Sequence, residues 1–159
     1  MKRRRNSPCP CHSGRKAKGC CAPILTGGPA DSPLALMRSR YAAYATGSVR
    51  HIIATTHPDS PHHQADTTAW MASIQKFCDT MEFLGLEIHT HSETRDTGCV
   101  HFTARLEADG SDRSFSEHSR FQRIAGRWLY LAAEGESVEP MGSQASQGSL
   151  VATPSTIKQ

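Results

Sequence analysis

Four cysteines near the start of the chain, Cys9, Cys11, Cys20 and Cys21, constrain its fold more than any other feature. The two close pairs stand eight residues apart, so one short loop can bring four thiolates around a single ion. The segment has no apolar periodicity, so something other than burial must order it. Four soft sulfur ligands suit tetrahedral zinc, and we predict one structural zinc ion here.

Disulfide bonds are the main alternative to a metal site. Adjacent Cys20 and Cys21 cannot bridge each other without strain, and nothing in the sequence indicates an oxidising compartment. His12 lies inside the cluster and offers a fifth donor. Because four sulfurs already complete a tetrahedral site, we interpret His12 as a surface imidazole.

Charge is distributed unevenly along the chain. Residues 1–30 hold seven Lys and Arg and no acid, whereas residues 31–159 hold eleven against fifteen Asp and Glu. We therefore expect an acidic protein surface as partner, contacted by Arg15, Lys16 and Lys18. Nucleic acid is a weaker alternative, because this segment lacks the aromatic residues on which bases stack. A solvated basic tail that only aids solubility is the plain alternative.

The sequence predicts no contact with a membrane. No run approaches the roughly 20 apolar residues of a membrane-spanning helix. Residues 1–5 resemble the charged start of a signal peptide, but residues 6–9 are polar where an apolar stretch is required. We therefore expect a cytoplasmic protein.

Composition divides the chain into four parts. The basic start and the cysteine knuckle occupy residues 1–21, and a stretch with two Pro and two Gly predicts a linker over residues 22–30. A domain follows over residues 31–135. Residues 136–159 are poor in apolar side chains and predict a disordered tail. The linker implies that knuckle and domain unfold separately.

Helical periodicity opens the domain. A first helix begins at Asp31 or Ser32 as cap and ends at Gly47. A short second helix follows over about residues 48–56, and a third over about residues 66–81.

From residue 84 the apolar period changes to two. Leu84, Leu86 and Ile88 alternate with more polar residues and predict one strand face. Further strands are predicted over residues 99–108, 113–124 and 127–131, with turns at Asp109-Gly110 and Ala125-Gly126. Helices first and antiparallel strands afterwards indicate an α+β fold.

Several of these motifs resemble known families. The spacing Cys-x-Cys-x8-Cys-Cys resembles the SEC-C zinc motif, also found at the C-terminus of the preprotein-translocase ATPase SecA, although a Gly usually stands where this chain has His12. Residues 36–44, His57-Pro58, residues 117–121 and residues 126–130 together resemble the YchJ family. The family commonly has Trp at the position of Thr56, and many members carry a second, C-terminal SEC-C motif that is absent here.

The resemblance covers roughly residues 8–133 and carries structural expectations. It implies a SEC-C knuckle before a cone-shaped domain like nuclear transport factor two, with about three helices packed on a curved antiparallel sheet of about four strands. With one SEC-C motif, one zinc site is expected.

Such cones often enclose a pocket, which gives a second candidate site. Glu117 shares a strand face with aromatic residues, where an unpaired carboxylate is costly, so it should have a partner such as Arg38 or Arg40 on the first helix. By resemblance to the fold, the pocket candidates are Glu117, Arg38, Tyr41, His57, Trp70 and Trp128.

Two hypotheses of function result. The first is a zinc-dependent adaptor that presents the basic knuckle to an acidic partner, by analogy with SecA, whose similar segment recognises a chaperone. The alternative is an enzyme or small-molecule binder that uses the cone pocket around Glu117. A buried Glu–Arg pair is more often structural than catalytic, and no spacing marks a nucleophile and its base, so we favour a role without catalysis.

Overall fold

The computed structural model describes residues 6–138, and the predicted tail from residue 139 onward lies outside the described residues. The helices are a 3-10 turn (Ala17–Gly19), α1 (Ala22–Leu25), α2 (Pro33–Thr46), α3 (Val49–Ala54) and α4 (Thr67–Thr80). The strands are β1 (Glu82–Glu93), β2 (Thr97–Ala108), β3 (Ser111–Asp112), β4 (Phe115–Ile124) and β5 (Arg127–Ala133). The α+β class is confirmed.

The long helices begin and end where their caps predict. The Ser32 hydroxyl accepts a hydrogen bond from the Ala35 amide at 3.0 Å and caps α2. Gly47 ends the helix with φ +75°, a left-handed conformation that glycine adopts without a steric penalty. The Asp66 carboxylate caps α4 by accepting from the Ala69 amide at 3.0 Å.

The strands form one antiparallel sheet in the order β1-β2-β4-β5, and the short β3 pairs with β2. Asp109 and Gly110 have φ values of 51° and 74°, and Ala125 and Gly126 have 49° and 80°. Positive φ at both central residues is the signature of the two-residue turn that matches strand twist, so both predicted hairpins are confirmed.

One prediction for β1 is wrong. The pairing of β1 with β2 shifts register between Phe83 and Gly85. A bulge reverses the alternation of side chains, because strand residues alternate between faces with a period of two. Phe83 therefore packs on the core. Leu84 is 53% exposed and lies on the other face of the sheet from the buried Leu86.

Helix α2 lies directly on the inner face of the sheet. Leu36, Met37 and Tyr41 belong to the same buried cluster as Val100 and Phe102. A second cluster joins α2 to α3 and α4 through Ala43, Val49, Ile52, Trp70 and Ile74. Among the described residues, no helix has the length and apolar character needed to cross a membrane.

The knuckle is docked on the domain, which corrects the interpretation of residues 22–30 as a linker between independent units. Helix α1 occupies the start of this stretch, and Ile24 and Leu25 pack against the domain core. Cys9, Cys11 and Cys21 are buried in the cluster that also contains Leu36 and Val100. The cysteines therefore share a core with the domain.

The fold also continues past the predicted domain end at residue 135. A carboxylate oxygen of Glu136 accepts a hydrogen bond from the Ala133 amide at 2.7 Å and lies 3.0 Å from His62 Nε2. Its backbone carbonyl accepts from Arg120 at 2.7 Å. Glu136 was predicted as the first residue of the tail, but these contacts attach it to the domain.

Candidate metal centre and cavity

A tight backbone loop brings the four predicted metal ligands together. The Cys9 amide donates to the Arg15 carbonyl at 2.8 Å, and the Ala17 amide donates to the Ser7 carbonyl at 2.9 Å. The sulfur atoms of Cys9, Cys11, Cys20 and Cys21 all lie within 4.8 Å of one another. Cys9, Cys11 and Cys21 are buried and Cys20 is half-buried, so the cluster can hold a metal ion.

His12 adopts the conformation that explains the usual glycine at its position. Its φ is 60°, in the left-handed region that costs non-glycine residues roughly 1–2 kcal/mol. The His12 imidazole is exposed and packs edge-on against the Tyr41 ring, with centroids 5.7 Å apart. That contact offsets part of the cost, since such ring pairs are worth about 0.5–1.5 kcal/mol.

Proton binding by the crowded thiols is strongly uneven. Hydrogen bonding from neighbouring thiols, that of Cys21 first, lowers the pKa of Cys11 to about 4. The same interaction, together with burial and the charge of Cys11, raises the pKa of Cys21, and burial raises the pKa of Cys9. Four thiolates at this spacing repel one another, so a cation is needed before all four can lose their protons.

Arg38 reaches from α2 to the cysteine cluster. Its Nη1 donates to the Cys11 carbonyl at 3.3 Å and lies 4.0 Å from the Cys11 sulfur. Sequence reasoning assigned Arg38 to the cone pocket and overlooked this position. The hydroxyl of Ser13, 3.3 Å from the Cys20 sulfur, is a second polar neighbour of the cluster that was missed.

Arg15, Lys16 and Lys18 are all exposed on the knuckle. Arg15 donates to the Gly19 carbonyl, and Lys16 forms a β-bridge with Pro8, so the backbone of this basic loop is fixed. Among residues 6–138, none of the ion pairs involves these three cations. Their charges are therefore presented to solvent.

A cavity of about 80 Å³ lies between α2, α3, α4 and the inner face of the sheet. Most of its lining is aromatic or aliphatic. The polar or ionisable side chains that line it are Arg40, Tyr41, Tyr44, Thr56, His62, Trp70, Glu117, Ser119 and Tyr130.

Glu117 does have partners, but they are hydroxyls. Ser119 Oγ donates to Glu117 Oε2 at 2.7 Å, and Tyr130 Oη donates to the same oxygen at 2.9 Å. Burial, followed by the charge of Glu117, raises the pKa of Tyr130 well above its usual value, so Tyr130 stays a hydrogen-bond donor. The signal for Tyr130 was present in the sequence, since it stands two residues after Trp128 on the last strand and shares its buried face.

Arg40, rather than Arg38, is the cation of the cavity. Its Nη1 donates to the Ile52 carbonyl at 3.1 Å and to the Thr55 and Thr56 hydroxyls at 2.8 and 3.2 Å. Its guanidinium lies 4.7 Å from the Tyr130 ring centroid. Arg40 is thus held at the wall by protein oxygens.

The predicted pocket residues are divided between the cavity and other sites. Glu117, Tyr41 and Trp70 line it, whereas Arg38 faces the knuckle. His57 is buried outside the lining, with its Nε2 2.6 Å from the Gln122 side-chain oxygen. Trp128 lies on the sheet beneath the Arg123 guanidinium, 4.5 Å from its ring centroid.

The four-cysteine knuckle and the helix-covered antiparallel sheet define a class: a SEC-C motif joined to an NTF2-like domain. The SEC-C motif family matches residues 5–23, and the family described as "YchJ, middle NTF2-like domain" matches residues 32–133. The chain belongs to the YchJ family, as its motifs predicted.

Curated relatives agree with this assignment. A UPF0225 protein of Deinococcus radiodurans is 40% identical over 128 residues, which cover 79% of this chain and 88% of that protein. A UPF0225 protein of Pectobacterium carotovorum is 41% identical over 129 residues, covering 77% of this chain and 80% of that one.

Two solved structures share the architecture. A SEC-C motif containing protein from Rhodopseudomonas palustris superposes with a TM-score of 0.70 at 34% identity, covering 81% of this chain and 98% of that chain. One from Psychrobacter arcticus gives 0.66 at 20% identity, covering 90% and 86%, and shows the common fold.

Proposed function

We propose that the chain binds one zinc ion through Cys9, Cys11, Cys20 and Cys21, and that the ion is structural. With Zn–S bonds of about 2.3 Å, the sulfurs of a tetrahedral site lie about 3.8 Å apart. The distances of 3.5 Å from Cys11 to Cys20 and 3.9 Å from Cys20 to Cys21 fit that geometry. Four sulfurs leave no open coordination position, so the ion orders the loop and does no chemistry.

The knuckle then acts as an adaptor surface for an acidic protein partner. The observation that carries this proposal is the exposed set Arg15, Lys16 and Lys18 on a fixed loop, outside the ion pairs described for residues 6–138. Zinc and four thiolates carry a net charge of −2. Residues 1–30 hold seven Lys and Arg and no acid, so this segment remains positive when the metal is bound. Cations on a rigid loop favour recognition of carboxylates, because little backbone freedom is lost on binding.

The test compares two variants of equal charge. In the first, Arg15, Lys16 and Lys18 are replaced by Ala; in the control, the exposed Arg50, Lys76 and Arg95 are replaced by Ala. Binding of a fluorescent glutamate-rich peptide is measured by anisotropy over a salt series. The knuckle variant should bind about tenfold more weakly and with a shallower salt dependence, whereas the control should resemble wild type.

Two further arms separate the alternatives. Zinc chelation should weaken binding of the peptide although every basic residue is retained, because the loop loses its fixed shape. A DNA duplex of equal charge should bind more weakly than the peptide. Equal losses in the two triple variants would refute the adaptor proposal, and a preference for DNA would replace it with nucleic-acid binding.

A further inference from the structure

The cavity of the cone has polar features that its role in packing does not explain. Trp70 is 2% exposed and lines the cavity, yet its indole Nε1 has no hydrogen-bond partner among the described residues. Tyr41 is 4% exposed and lines the same cavity, and its hydroxyl, which neighbours the Gly85 backbone, donates to no described acceptor. A buried polar group without a partner costs roughly 1–3 kcal/mol. Two such donors around one cavity indicate a missing acceptor.

Glu117 adds an acceptor for a ligand's donor to the wall of the same cavity. Both hydrogen bonds described for this carboxylate, from Ser119 and Tyr130, end on Oε2. They fix the side chain at the wall and leave Oε1 as the oxygen that a bound molecule would meet. The cavity therefore combines buried donors with a held carboxylate, and a ligand matching it must carry one donor and one acceptor.

The charges of the lining decide the net charge of that ligand. Arg40 and Glu117 both line the cavity and carry opposite charges, and the Glu136 carboxylate lies 3.0 Å from the His62 ring. An ion would bring an unpaired charge into a largely apolar enclosure, which is costly. A neutral molecule avoids this cost.

Size and shape point to an aromatic ring. The volume of about 80 Å³ far exceeds the roughly 10–15 Å³ that a single water needs. Aromatic side chains from both layers, including Phe77, Phe102 and Phe115, line it and offer ring edges and faces to a flat ligand.

We propose that the cone cavity binds a small neutral aromatic molecule bearing a hydroxyl group, which donates to Glu117 Oε1 and accepts from the Trp70 indole. This site is separate from the knuckle, and its occupancy does not depend on the adaptor function. Phenol is the probe, and toluene, which lacks the hydroxyl, is its matched control.

The two tryptophans provide an internal control. Both indole N–H groups are buried without a partner in the described part of the chain, but only Trp70 of the two lines the cavity. In a nitrogen–proton NMR correlation spectrum of the zinc-loaded chain, phenol should shift the Trp70 indole signal to saturation and leave the Trp128 signal in place. Trp70→Phe and Trp128→Phe assign the two signals.

Variants then test the polar match. Phenol should bind about tenfold more tightly than toluene, and Glu117→Gln should remove most of that difference without changing toluene binding. Ala104→Leu, at a buried lining position, should abolish binding of both. Ala104→Val serves the same purpose if the larger side chain prevents folding. The knuckle triple-Ala variant should bind phenol like wild type, so failure here and failure of the adaptor proposal remain distinguishable.

Three outcomes would overturn the proposal. If phenol leaves the Trp70 signal unmoved, the cavity takes only water. If both indole signals drift together without saturation, binding is nonspecific. Equal affinities for phenol and toluene, unaffected by Glu117→Gln, would show that the polar groups select nothing.

Discussion

Arg38 gives the sharpest test of how the domain controls the metal site. Arg38→Met keeps most of the aliphatic stem on α2 but removes the guanidinium that donates to the Cys11 carbonyl. Outer neighbours of metal ligands tune affinity by orienting those ligands and by stabilising their charge. We therefore expect Arg38→Met to weaken zinc binding while the domain stays folded.

The expected magnitude follows from the distance. A full charge pair at the 4.0 Å between Arg38 Nη1 and the Cys11 sulfur is worth about 4 kcal/mol at an effective dielectric constant of 20. Zinc leaves each thiolate with about half a negative charge, which reduces the interaction to about 2 kcal/mol. Because Arg38 is half-buried, solvent screens part of this. The loss should fall between tenfold and a hundredfold in affinity.

Competition with a chromophoric zinc chelator measures this affinity at fixed pH and low salt. Arg50→Met is the control, since Arg50 is an exposed cation on α3. Thermal unfolding of both metal-free variants reports any general loss of stability. A change below twofold for Arg38→Met, or an equal change for Arg50→Met, would refute the assignment of Arg38 to the metal site.

Three other perturbations test the docking, a close contact and a half-buried histidine. Chelating the metal should lower the unfolding temperature of the domain itself, because three of the four ligands lie in its core; an unchanged calorimetric transition would contradict this. Gly98→Ala should cost about 1–3 kcal/mol in urea unfolding, because the added Cβ would lie 2.2 Å from Pro33 Cγ, whereas Gly19→Ala, with nothing within 4 Å, should be nearly neutral. Burial, then the charge of Arg40, lowers the pKa of His51 from 6.5 to about 4. The unfolded chain therefore protonates His51 at a higher pH than the folded chain does, and the free energy of unfolding should fall as the pH drops from 6.5 to 4. The fall should be smaller in His51→Gln.

Local signals were sufficient to predict the elements of the domain. Ser32 and Asp66 as caps, Gly47 as a stop and the two glycine-containing turns each act within a few residues, so the sequence displays them directly. The cysteine cluster was equally legible, because its ligands are close in sequence. Leu84 was misplaced because a bulge leaves no trace in the alternation pattern.

Tertiary docking was not readable in the same way. Arg38 and Arg40 stand two positions apart on α2, so helical geometry puts them about 200° apart. Which of them faces the cavity and which faces the knuckle depends on where the knuckle docks. That contact uses small side chains such as Ala17 and the cysteines themselves, which form no periodic apolar stripe.

Tyr41 stands between the two sites: its ring packs against His12 of the knuckle and also lines the cone cavity. A side chain shared in this way couples the two sites only if occupancy of one moves it. If an occupant of the cavity displaces Tyr41 and alters the affinity of the cysteines for zinc by some factor, zinc alters the affinity for that occupant by the same factor. Zinc and a small aromatic molecule would then each change the affinity of the chain for the other, through the position of Tyr41.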